Sequence, residues 1–195
     1  MEKIQNIEQS RIFVEIYESL KAESDRGCVL VVASLIEKIL EEQITARLMP
    51  KPGKDDELLS YSKNGPLSNF SAKINIVFRL GLIPVSERNI YHQLRELRNA
   101  CAHHIDQQDF DKNHFKDRTR NIIAESAEIW EVFRRTIAPE AFPGKEFKSV
   151  DDFVNAIGWR KAFQLFFSLI VAFKRPAITR VTPLTPLYEP AVVQE

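Results

Sequence analysis

The chain has 195 residues, enough for one domain with a sizeable core and too few for two without a clear linker. Lys plus Arg and Asp plus Glu both count 27, so the formal net charge is zero. Nonspecific grip on phosphate backbones draws on a basic surplus, so a broad nucleic-acid face is excluded and any such site must be a local patch.

The N-terminal MEKIQNIEQSRIF shows no apolar run followed by a small-residue cleavage site, so no secretory signal is expected. Over residues 7–21, Phe13, Ile16, Tyr17 and Leu20 fall at spacings of three and four, the stripe of a helix that should stop near Gly27. From Cys28 to Met49, Val32, Ile36, Ile39, Leu40 and Ile44 recur at helical intervals opposite Glu37, Lys38, Glu41 and Glu42, the pattern of a central core helix. Pro50, Pro52 and Gly53 end it, and the polar KPGKDDELLSYSKNG reads as a surface loop. The two cysteines, Cys28 and Cys101, sit far apart in helix-patterned segments, which fits reduced thiols in a cytoplasmic protein and not a disulfide framework.

A third helix is predicted from Gly65-Pro66, with Phe70, Ile74, Val77 and Phe78 on one face and Gly81 as a left-handed cap. Ser86 is placed to cap a fourth, whose apolar stripe is Ile90, Leu94, Leu97 and Cys101. A fifth starts at Asp111, with Phe110 and Phe115 as a hydrophobic staple, and continues to Ile137 before Pro139, Pro143 and Gly144. Ser149, Asp151 and Asp152 open a sixth, rich in aromatics. Its apolar run from Ala162 to Phe173 is shorter than a membrane span and flanked by Arg160, Lys161, Lys174 and Arg175, so no membrane insertion is expected. Phe163, Phe166, Phe167 and Phe173 exceed what one stripe of a surface helix buries, and a mixture of core and subunit interface is expected for them.

These elements make an all-α, single-domain bundle of about six helices, with no sheet and no helix-turn-helix. The helical domain is placed at 1–175, with core helices over about 7–137 and the aromatic helix over about 149–174. A Pro-rich extended or disordered tail follows at 176–195.

Two blocks, GPLSNFSAKINIVFRLGLI at 65–83 and LRELRNACAHHID at 94–106, resemble the mannitol operon repressor family and its relatives. The first block is the more specific, with Gly-Pro-Leu, a short polar break, and a helix ending in Leu-Gly-Leu-Ile. By element order the resemblance spans roughly residues 28–137. It implies an all-helical regulator of transcription whose route to DNA does not run through a helix-turn-helix. The sequence presents no basic recognition helix on a tight glycine turn, so direct DNA binding is not expected. The expected function is a cytoplasmic regulatory binding protein, a homo-oligomer acting through protein partners, with no cofactor and no metal. Arg95, Arg98, Asn99 and His103 are its candidate ligand- or partner-binding residues.

Arg98-Asn99-x-x-Ala102-His103 also resembles the Arg-x4-His signature of HEPN domains, many of which are metal-independent ribonucleases. Under that alternative RNA is the substrate. Arg98 stabilises the phosphorane charge, Asn99 positions the phosphate and His103 is the acid or base. Asn99 and His103 share a helix face with Arg95 one turn earlier, whereas Arg98 sits about 100–140° round the helix. The structural alternative has His103 or His104 on the last helix carbonyls, Arg98 on a carboxylate and Asn99 between helices. Cys101, His103, His104, Asp106 and His114 lack metal-ligand spacing. Lys73, Arg79, Arg88 and Arg95 are either a local basic groove or ordinary solvated faces. No glycine-rich phosphate loop or Gly-x-Ser-x-Gly elbow occurs.

Overall fold

The computed structural model describes residues 2–51, 53–103, 110 and 113–187, with the side chains of 7–51, 53–102, 110 and 115–187. Among these residues the fold is all-α, with no strand. Helix α1 (Glu2–Lys21) is followed almost at once by α2 (Asp25–Arg47). Ser24 sets the boundary, its hydroxyl accepting the Gly27 amide at 3.0 Å. Gly27, expected to stop the first helix, therefore lies in the first turn of the second.

Helix α3 (Phe70–Arg79) begins later than Gly65-Pro66, where Asn69 caps it by accepting the Ala72 amide at 2.9 Å. Gly65 serves the preceding loop instead. A Cβ there would lie 2.5 Å from the Leu58 carbonyl oxygen, so only glycine lets the two backbone segments meet. Gly81 adopts φ 70° as its position demands, and leads into α4 (Val85–His103). Ser86 falls inside the first turn of α4 and is not its cap; the Pro84 carbonyl accepts the Arg88 amide at 3.1 Å.

The expected fifth helix is divided. Helix α5 (Asn113–Glu125) ends where the buried Ser126 hydroxyl donates to the Ile122 carbonyl at 2.7 Å, a bond that competes with the backbone ladder. Helix α6 (Ala127–Val132), a π-helical turn (Phe133–Ile137) and α7 (Ala138–Ala141) follow. The proposed Asp111 cap lies outside the described residues, but the Phe110 and Phe115 rings do meet edge-on at 5.9 Å. The expected sixth helix is divided too. Ser149 and Asp152 form a reciprocal capping box for α8 (Val150–Ile157), and Gly158, at φ 83° and ψ 155°, breaks the chain before α9 (Trp159–Ala177). Pro176 does not end α9, because a proline in the last turn removes a single ladder hydrogen bond. A 3-10 turn (Ile178–Arg180) and a non-helical segment follow, pinned to α2 where the Leu184 amide donates to the Arg47 carbonyl at 2.7 Å.

Helix α9 is the centre of the molecule, packed by α1, α2 and α8. Phe163, Phe166 and Phe167 are at most 1% exposed, and the Phe163 ring lies 4.6 Å from Phe167 and 4.9 Å from Phe110. This corrects the interface expectation for those three residues. Helix α1 and its neighbours cover them, and each buried phenylalanine contributes roughly 1.5–3 kcal/mol to this chain's own core. Phe173 alone of the set is half-buried. Among the described residues Trp159–Arg180 is long and apolar enough to cross a membrane, yet 61% of its apolar window is buried within the fold.

Two buried polar contacts fix the ends of these helices. Gln164 on α9 donates to the Leu20 carbonyl at the end of α1, at 2.9 Å, and Cys28 reaches the same oxygen at 3.2 Å. Asp25 accepts from Arg160 at 2.9 Å and from the Phe110 amide at 3.1 Å, so one carboxylate at the start of α2 gathers three segments.

Candidate functional site

Helix α4 has two faces, and its apolar stripe decides which is free. Ile90, Leu94, Leu97 and Cys101 are all buried, so the helix is held rigidly against α2, α3 and α5. Burial lifts the Cys101 thiol to about 11, which makes it an inert core group. The opposite face carries Arg88, His92, Arg95 and Asn99 at spacings of four, three and four, a single row along the helix.

The first half of that row is tied to α3. Asn75 Oδ1 accepts from Arg88 Nε at 3.2 Å and Nη2 at 3.1 Å, and lies 3.2 Å from His92 Nε2. The Arg88 guanidinium also lies over the Phe78 ring, 5.5 Å from its centroid. Burial, reinforced by the charges of Arg88 and Arg95, holds the His92 imidazole below its usual range, so it is neutral at pH 7.

The second half of the row, and Arg98 beside it round the helix, make no hydrogen bond or ion pair among the described residues. Arg95 Nε is buried without a hydrogen-bond partner. Arg98 is half-buried and Asn99 exposed. Among the described residues, Arg98 therefore meets no carboxylate and Asn99 bridges no helices. His103 closes α4, but its side chain, like His104, Asp106 and the side chain of His114, lies outside the described residues. Among the described residues no group of three or more His, Cys, Asp or Glu could hold a metal ion.

A basic groove running through Lys73, Arg79, Arg88 and Arg95 does not form. Lys73 is buried on α3 and bonded to Glu41 at 2.9 Å and Glu37 at 3.2 Å. Burial pulls its ammonium down, but the hydrogen bonds it donates to the two carboxylates, with their charges, outweigh that and raise it overall. Asn75 and His92 were not among the sequence-derived candidates. The one signal for His92 was its place three residues before Arg95, and Asn75 is reached only through the α3–α4 pairing. The two helices and the Gly81 turn between them are legible in the sequence, but which residues meet across the pair is not.

No family model and no curated protein matches the sequence. One similar solved structure is that of the MtlR–HPr complex from Escherichia coli. It has a chain 19% identical to this one, with 87% of this chain and 98% of that chain covered and a TM-score of 0.48. The likeness is loose.

Proposed function

We propose that this chain is a cytoplasmic regulatory binding protein that acts through contacts with another protein, and that Arg95 and Asn99 of the α4 row, with Arg98 beside them round the helix, are its contact surface. The observation that carries this reading is that Arg95, Arg98 and Asn99 make no hydrogen bond or ion pair among the described residues, on a helix whose other face is fixed in the core. Guanidinium groups prefer bidentate carboxylate partners, and a rigid helix loses little entropy when it supplies them, so an acidic protein surface suits this row. The zero net charge favours regulation of transcription through a partner over direct contact with DNA. Self-association through the aromatic helix would draw on Phe173, since Phe163, Phe166 and Phe167 are turned inward.

HPr, the protein found with MtlR in the Escherichia coli complex, is the first partner to try. Titration calorimetry of the chain with HPr is expected to give saturable binding that an Arg95→Glu/Arg98→Glu variant loses. The rival is the metal-independent ribonuclease. A mixed RNA pool incubated in EDTA would remain intact under the binding reading. Cleavage by the wild type and not by His103→Ala, with no HPr binding, would overturn it.

A further inference from the structure

On the other side of α4 from the Arg88–Asn99 row lies an open-mouthed cavity of about 520 Å³, bounded by α4, α6 and α9. Its walls are mainly apolar, with Ile90, Ile129, Val132, Ile170 and Phe173 turned toward it. Val132 leads directly into the π-helical turn, a backbone irregularity that recurs beside functional sites. A mainly apolar hollow with a few convergent polar groups is the form that small-molecule sites take.

The polar groups settle which charge it suits. The lining holds one cation, Lys174, and that ammonium is paired with Glu87, whose other oxygen accepts from the buried Tyr91 hydroxyl at 3.3 Å. Across the cavity stand Glu125, at the end of α5, and Glu128, in the first turn of α6, on either side of Ser126. Glu125 Oε1 receives one hydrogen bond, from Gln93 at 3.2 Å, while Oε2 is buried with no partner. Glu128 is exposed and has no hydrogen bond or ion pair among the described residues. The Ser126 hydroxyl has committed its proton to the Ile122 carbonyl and keeps its lone pairs. The α6 side of the cavity is therefore a set of acceptors short of donors, with its negative charge uncompensated. An anionic ligand would meet no free cation there.

We propose that this cavity binds an organic ammonium ligand, its N–H groups on Glu125, Glu128 and the Ser126 oxygen and its hydrocarbon body on the Ile90, Ile170 and Phe173 walls. The ammonium supplies the three donors this wall lacks, and the apolar body displaces water from surface that gains from burial. The inference is independent of the partner reading, because α4 lines the cavity with Glu87, Ile90 and Tyr91, and neither Arg95, Arg98 nor Asn99 borders it.

The test uses the full chain and n-hexylammonium chloride, with hexanoate and hexan-1-ol as probes of matched length, followed by calorimetry. Hexylammonium is expected to saturate a single site, with hexanoate and hexanol each weaker by about tenfold or more, the scale of one charge-assisted contact. A Glu125→Gln/Glu128→Gln variant that keeps the wild-type circular dichroism is expected to lose that preference while binding hexanol as before. Should the variant not fold, the comparison of the three probes on the wild type still decides. Equal or tighter binding of hexanoate, no saturable binding of hexylammonium, or an undiminished preference in the folded variant would each overturn the proposal.

Discussion

His92 and Asn75 face each other across the α3–α4 pair at 3.2 Å, on an amide oxygen that Arg88 also engages through two guanidinium nitrogens. That oxygen accepts from both side chains, while burial and the charges of Arg88 and Arg95 act against protonation of the imidazole and outweigh the Glu96 carboxylate that favours it. A histidine whose folded pKa lies below its unfolded value, about 6.5, is neutral in both states above that pH and costs nothing there. As pH falls below it, the unfolded chain takes up a proton that the folded chain refuses, so stability is lost on acidification. Urea midpoints measured at about pH 7.5 and about pH 5.5 should show this loss in the wild type and a smaller one in His92→Gln, which keeps an amide donor for Asn75. Equal losses in both proteins would contradict the assignment.

Lys73 is the buried member of a three-charge group, its side chain 6% exposed against 22% for Glu37 and 47% for Glu41. Removing the cation strands Glu37 in a partly dry site, whereas removing Glu41 alone leaves Lys73 paired. Lys73→Met is expected to cost about 2 kcal/mol, below the range for a fully buried pair because one carboxylate is half in water. Glu41→Gln should cost under about 1 kcal/mol. Urea unfolding with unchanged m values tests both, and a Lys73→Met protein as stable as wild type would show the pair to be ornamental.

The sequence made some of this visible for definite reasons. Ile90, Leu94, Leu97 and Cys101 all face inward because a 3.6-residue period forces four such positions onto one stripe. Gly81 and the Ser149–Asp152 cap were legible because each answers a local backbone requirement. The breaks at Ser126 and Gly158 were hidden, since apolar spacing continues across both and a lone glycine is tolerated in a helix. Lys73 read as a surface cation because Glu37 and Glu41 belong to the polar side of a different helix, and only packing of α3 on α2 brings them together. The fate of the aromatic helix likewise turned on whether α1 would cover it, a tertiary fact.

Gly158 offers a clean measure of backbone strain. At φ 83° and ψ 155° it occupies a region that is essentially glycine-only, yet a Cβ placed there would meet nothing within 4 Å. The cost of Gly158→Ala is therefore conformational and not steric, and about 1–3 kcal/mol is expected. A loss below about 0.5 kcal/mol in urea would mean that α8 and α9 can join through an ordinary backbone conformation.

Phe166 and Phe173 lie seven residues apart on α9 and separate the core role of this helix from any surface role. Phe166 is wholly buried, so Phe166→Ala removes a ring from close-packed surroundings and is expected to cost about 3–5 kcal/mol, enough to unfold much of a marginally stable chain. Phe173 is half-buried and borders open grooves on two sides, so Phe173→Ala should cost about 1 kcal/mol. If the aromatic helix served chiefly to join subunits, the order would reverse: sedimentation velocity would show Phe166→Ala as a folded, dissociated protein. The buried position of the ring requires instead that circular dichroism and the urea midpoint fail first in Phe166→Ala, while Phe173→Ala keeps the wild-type fold.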